Sequence, residues 1–75
     1  MFVNDLSEPE LTRQLALVRH LPIQAAERIV AMRPFNDAAD LRRRVNDGAK
    51  PKQCIGKKLL VYFHFSDFAS VAGVP

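Results

Sequence analysis

Seven cationic side chains are the residues of this 75-residue chain whose type and spacing most readily do chemistry. They lie between residues 42 and 58 and are Arg42, Arg43, Arg44, Lys50, Lys52, Lys57 and Lys58. Residues 1–41 hold four basic and six acidic side chains, whereas residues 42–75 hold seven basic and two acidic ones. Clustered guanidinium and ammonium groups attract phosphate. The cluster therefore indicates an anion-binding surface, although a run of cations also serves as a solvated face that maintains solubility.

A glycine lies among four of these lysines, with Lys50 and Lys52 before it and Lys57 and Lys58 directly after it. Because Gly56 has no side chain, it lets a backbone N–H approach an anion closely, and a helix start favours negative charge. We therefore expect this turn to contact phosphate. The alternative is that the glycine only permits a tight turn and that the lysines cover the surface. The predicted nucleic-acid contacts are Arg42, Arg43, Lys50, Lys52, Gly56, Lys57 and Lys58.

The remaining reactive residue types lack the partners that catalysis or metal binding needs. His20, Cys54 and His64 are too few and too far apart for a zinc site, and Cys54 has no nearby histidine–acid pair. Paired carboxylates in a cleft-like context are also absent from the sequence. We expect no enzymatic activity, no cofactor and no metal. One cysteine excludes an internal disulfide, which fits an intracellular protein, either nuclear or bacterial cytoplasmic.

Capping residues and prolines divide most of the chain into three short helices. Ser7 is a capping residue for a helix over about residues 8–19, which ends before Pro22. Pro22 opens a second helix that Pro34 stops at residue 32 or 33. Asp37 caps a third helix, in which Ala38, Leu41 and Val45 face inward and Arg42, Arg43 and Arg44 face outward, and Gly48 terminates it.

The last segment is ambiguous between helix and strand. Residues 54–69 fit a helix, but the run Leu59–Phe65 equally has the composition of a buried strand. A strand needs a partner, and the rest of the sequence shows no strand character, so we predict a helix. Its aromatic residues would be incompletely covered in so small a domain. Tyr62, Phe63, Phe65 and Phe68 therefore form an alternative, protein-binding surface.

The stretch from Ala26 to Leu41 matches a known pattern, A-x-x-I-V-x-x-R-P-F-x-(S/D)-x-x-D-L. It resembles the helix-hairpin-helix repeats of bacterial competence DNA-receptor proteins. That resemblance implies hairpins whose glycines bring backbone N–H groups to a DNA phosphate. The first hairpin departs from the family, because Ile23 and Gln24 follow Leu21-Pro22 where glycines are expected. The second keeps Gly56, with Cys54 in place of the other glycine, so DNA binding is expected at the second hairpin alone.

Together these patterns predict an all-α bundle of four to five short helices of the helix-hairpin-helix type. We expect one domain over residues 1–75, with its core in 7–68 and a frayed end at 69–75. The longest apolar run, Leu59–Phe65, is too short to cross a membrane, and the N-terminus has no signal-peptide pattern. The leading hypothesis is sequence-non-specific DNA binding by an accessory domain. The alternative is a protein-interaction or oligomerisation module, either as a homo-oligomer or as part of a larger chain.

Overall fold

The computed structural model describes residues 1–65, and its fold is all-α. Three α-helices, α1 (Glu8–Ala16), α2 (Ile23–Met32) and α3 (Ala38–Asn46), are followed by two 3₁₀ helices, Pro51–Gln53 and Lys57–Tyr62. Helix α2 lies at the centre, because it packs against α1, α3 and the first 3₁₀ helix, while the second 3₁₀ helix packs against α3. The all-α fold expected from the sequence is confirmed.

The predicted starts of the helices are confirmed in detail. The Ser7 hydroxyl accepts a hydrogen bond from the Glu10 amide at 3.4 Å, and the Asp37 carboxylate accepts one from the Asp40 amide at 2.7 Å. Each side chain satisfies a backbone donor that the first helical turn leaves unpaired. Pro22 takes the position immediately before α2.

Helix α1 is shorter than predicted, since it ends at Ala16 rather than near residue 19. The Leu17 and Val18 amides each bond a carbonyl three residues back, at 3.1 Å, which tightens the final turn. The chain then passes through His20 with a φ of 66°, in the left-handed region. A non-glycine residue seldom adopts this conformation, so no simple pattern in the sequence marks this helix end.

The core is formed by apolar residues from every part of the described chain. Its fully buried members include Leu11 and Leu15 of α1, Ile29 of α2, and Leu41 and Val45 of α3. The sequence placed the beginning of the core at residue 7. The structure extends it upstream, because Val3 is also fully buried and packs with the same cluster.

The predicted helix over residues 54–69 is wrong for half of its described part, residues 54–65. Only residues 57–62 are helical, as a 3₁₀ helix, and Phe63 has an extended backbone with φ −103° and ψ 126°. His64 then forms a parallel β-bridge with Phe2, through Val3 N to His64 O at 3.2 Å and His64 N to Met1 O at 2.6 Å. The N-terminal residues are thus the backbone partner that the sequence did not reveal. Residues 66–69 of that prediction and the end at 69–75 lie outside the described residues.

Two asparagines connect the irregular segments by paired hydrogen bonds to backbone. The Asn4 side chain donates to the Phe35 carbonyl at 2.6 Å and accepts from the Phe35 amide at 2.8 Å. The Asn46 side chain does the same with Ile55, at 3.0 and 2.7 Å. A carboxamide carries one donor group and one acceptor on the same carbon, so it pairs with both the N–H and the C=O of one residue, as a β-strand neighbour would.

Arginine side chains satisfy backbone carbonyls at the end of α3 and in the N-terminal segment. Arg28 donates to the carbonyls of Val45 and Asp47, both at 2.9 Å, where α3 ends. Arg33 donates to the carbonyls of Val3 and Leu6 in the N-terminal segment. The last turn of a helix leaves carbonyls without intrahelical partners, and a guanidinium with five N–H groups can bond several at once.

We expect Asn46→Ala to destabilise the fold by about 2 kcal/mol, since it leaves both the amide and the carbonyl of Ile55 without this partner. Urea unfolding followed by circular dichroism measures the change. Asn36→Ala is the matched control, because Asn36 is exposed and its side chain makes no hydrogen bond within residues 1–65. Equal free energies of unfolding for the two variants would contradict this account of the Asn46–Ile55 pair.

Candidate functional site

The turn Cys54–Gly56 is fixed to α3 at its middle residue. The Ile55 carbonyl accepts from the Asn46 amide group at 3.0 Å and from Arg42 Nε at 3.2 Å, while the Ile55 amide donates to Asn46. The Ile55 side chain is 1% exposed and belongs to the core. Main chain and side chain therefore both hold the turn, and the residues on either side of it have a defined position.

Four lysines surround this turn and project into solvent. Lys50 and Lys52 lie before it, Lys57 and Lys58 open the second 3₁₀ helix after it, and all four are exposed. Within residues 1–65 none of them forms an ion pair with a carboxylate. Their charges are therefore not neutralised by the described part of the chain and remain available to an external anion.

Gly56 has no structural reason to be glycine in this fold. Its φ is −79°, an ordinary value for any residue, and a Cβ built on it would meet nothing within 4 Å. The alternative that Gly56 is needed for a tight turn has no support from this backbone conformation. The missing side chain leaves the backbone beside the lysines open to an approaching group.

The prediction that Arg42, Arg43 and Arg44 all face outward is wrong for two of them. Arg44 donates to the carbonyls of Met32 and Pro34 at 2.9 and 2.8 Å, and its guanidinium lies 4.9 Å from the centre of the Phe35 ring. Arg42 is half-buried and holds the Ile55 carbonyl. These side chains stabilise the protein's own loops.

Arg43 is the outward member, with 76% of its side chain exposed and an ion pair to Asp40 at 2.7 Å. Asp40 also accepts from the Asn36 amide at 3.0 Å and pairs with Arg44 at 3.4 Å. The Asn36 N–H first, and then the two guanidiniums, hold the pKa of Asp40 below its ordinary value of 3.8. Asp40 therefore neutralises part of the arginine charge, which leaves the lysines as the dominant free cations of the 42–58 cluster.

The aromatic residues named as an alternative surface do not form one continuous patch. Phe63 is only 5% exposed and is a core residue, which corrects its assignment to an exposed interface. Phe65 is half-buried and packs against the same core, whereas Tyr62 is 45% exposed. Phe68 lies outside the described residues. Within residues 1–65, Tyr62 is thus the member of this set that solvent reaches most.

Comparison with protein-family models, with curated proteins and with solved structures finds no match to this chain. The described residues contain no group of three or more His, Cys, Asp or Glu placed to hold a metal ion. No helix in residues 1–65 is both long enough and apolar enough to span a bilayer. The function is therefore inferred from the surface of the fold itself.

We expect Asp40→Asn to reduce the pH dependence of stability in acid. A carboxyl whose pKa is lowered by folding stabilises the native state above its ordinary pKa, and this contribution disappears as the pH falls through the lowered value. Thermal unfolding from about pH 5 down to pH 2 should show a smaller loss of Tm for the variant than for the wild type. Asp5→Asn, which removes an exposed carboxylate outside this network, is the control. Parallel curves for wild type and Asp40→Asn would refute the assignment.

Proposed function

We propose that this protein is a binding domain, not an enzyme, and that it contacts the phosphate backbone of duplex DNA without sequence selectivity. The observation that carries the proposal is the group of four exposed lysines without carboxylate partners in residues 1–65, arranged around a turn fixed to α3. Each phosphate bound releases condensed counterions, which provides a favourable, sequence-independent free energy. The helix-hairpin-helix resemblance of residues 26–41 supports the same ligand class.

Backbone contact suits this surface better than base readout. Reading bases requires a helix or ribbon that presents hydrogen-bonding side chains to the major groove. The candidate for such a helix is α3, but Arg42 and Arg44 bind carbonyls of this protein and Arg43 pairs with Asp40. Lysine contributes a flexible point charge, which is suited to phosphate and carries no sequence information.

The expected binding is weak and strongly salt-dependent. If the lysines neutralise about three phosphates, the logarithm of the association constant falls with the logarithm of salt concentration at a slope near −3. One such module binds non-specifically, so useful affinity requires a second module in the same assembly. This accords with an accessory domain of a larger chain or of an oligomer.

The competing hypothesis of a protein contact through the aromatic segment has less support. Phe63 is in the core and Phe65 packs against it, so Tyr62 and its neighbour Val61, 73% exposed, are what remains of that surface in the described chain. Two adjacent side chains are far smaller than a standard interface, which takes about 20–30 residues on each side.

We expect Lys57→Glu/Lys58→Glu to abolish binding of a short fluorescent duplex, because the two reversals place negative charge beside the phosphates. Fluorescence anisotropy of the full chain at two salt concentrations measures the effect. Arg13→Glu/Arg19→Glu changes the net charge by the same amount at exposed positions outside the 42–58 cluster, and it should retain most of the affinity.

Three results separate the alternatives. Equal weakening by both double variants would mean that net charge alone governs the association. No binding of the wild type at low salt would refute the DNA proposal. A clear preference for one duplex sequence over scrambled ones would contradict backbone contact as the mechanism.

A further inference from the structure

An apolar groove with a volume of about 910 Å³ runs between α1 and α2, away from the lysines of the second hairpin. Its floor includes Leu15 and Val18, which are buried, and Ala26 and Val30, which pack against the core. The groove is therefore a continuation of the core that the described residues leave open to solvent. A continuous apolar surface that is open to solvent is a candidate for binding.

The shape of the groove can accommodate a helix. The residues of α1 that line it include positions 8, 12 and 16, and those of α2 include positions 23, 27 and 30. Residues that recur every three or four positions lie along one face of a helix, so each wall of the groove is one face of its helix. Alanines at 16 and 31 keep both walls low. Two neighbouring helices with an open seam between them accept a third helix by ridge-into-groove packing.

The apolar surface continues past one end of the groove. Ile23, at the start of α2, lines the groove and is 72% exposed, and Leu17, in the connection after α1, is 76% exposed. These two large side chains belong to the connection between the helices and to the first residue after it. An apolar residue exposed this fully gains most from burial against a partner.

Charge determines which kind of helix fits. Glu8 on α1 and Glu27 on α2 line the groove, and no lining residue is cationic. Neither glutamate forms an ion pair within residues 1–65. A ligand helix lying between the two walls would therefore meet a carboxylate on each side of its apolar stripe, which favours cations on both flanks.

We propose that the α1–α2 groove docks an amphipathic helix of a partner protein whose apolar stripe is flanked by lysine or arginine. A second copy of this chain fits less well. Within residues 1–65 its element that is exposed, basic and apolar is the second 3₁₀ helix, where the side chains of Lys58 and Val61, three residues apart, are eclipsed. Lys58 therefore lies in line with Val61 along the helix, whereas the two glutamates of the groove favour cations on either side of the apolar stripe. The groove is distinct from the DNA-binding turn, so this inference stands whether or not DNA binds.

The proposal is tested by measuring how two labelled helical peptides with the same leucine stripe bind to the full chain. One carries lysines on both flanks and the other glutamates. We expect the lysine peptide to bind with at least about tenfold higher affinity, and Glu8→Lys/Glu27→Lys to reverse the preference. Ala16→Trp fills the groove from an exposed lining position and should abolish binding of the lysine peptide. Ala39→Trp, an exposed alanine of α3 outside the groove, is the matched control and should leave it unchanged.

Circular dichroism confirms that each variant is folded before binding is compared. Equal affinity for both peptides, or unchanged binding of the lysine peptide by Ala16→Trp, would overturn the proposal. Light scattering over a range of protein concentrations tests whether a second copy of this chain occupies the groove. A dimer that Ala16→Trp dissociates and Ala39→Trp does not would assign the groove to a second copy and would also overturn it.

Discussion

Hydrogen bonding of side chains to the backbone of loops is the interaction on which this fold depends. No α-helix in residues 1–65 exceeds ten residues, so a large share of the backbone groups lies at helix ends without intrahelical partners. Asn4 and Asn46 each pair with both the N–H and the C=O of one residue, and arginines bind backbone carbonyls. The small core holds the helices together, while these bonds determine where the irregular segments lie.

The need for partners of these backbone groups divides the cations into two groups, arginines that bind backbone carbonyls and lysines that do not. Arginine presents several N–H donors in a fixed plane, which suits it to backbone carbonyls without other partners, and Arg28, Arg33 and Arg44 bind such carbonyls at helix ends and in loops. The lysines of residues 50–58 are not needed for the fold and remain in solvent. A surface of free lysines on a backbone fixed by asparagine and arginine suits the proposed contact with a polyanion.

The sequence predicts the parts of the structure whose causes are local. Ser7 and Asp37 act within three residues, and Pro34 stops a helix through its own ring, so both caps and the end of α2 could be located in advance. The bonds of Arg44 to carbonyls 10 and 12 residues away and of Asn4 to a residue 31 away require the folded chain. Helical periodicity takes no account of these distant partners, and it therefore predicted that Arg42, Arg43 and Arg44 all face solvent.

The C-terminal segment and the groove show the same limit. Phe63 is extended and buried, and His64 forms a β-bridge for which Met1 and Val3 supply backbone partners from the other end of the chain. The opening between α1 and α2 depends on which helix faces stay uncovered, which the sequence pattern does not specify. The four lysines could be named as candidates from the sequence. Only the structure shows that they are exposed, whereas Arg42 and Arg44 bind carbonyls of the protein itself.

The proposed DNA contact can be mapped on the protein by NMR. Addition of an unlabelled short duplex to the ¹⁵N-labelled full chain should shift amide resonances within residues 50–58, with the largest changes at Gly56, Lys57 and Lys58. Amides that line the α1–α2 groove, such as that of Ala26, should not move. Shifts centred on the groove, or spectra unchanged at low salt, would contradict the proposal that the lysines of the second hairpin bind the phosphate backbone.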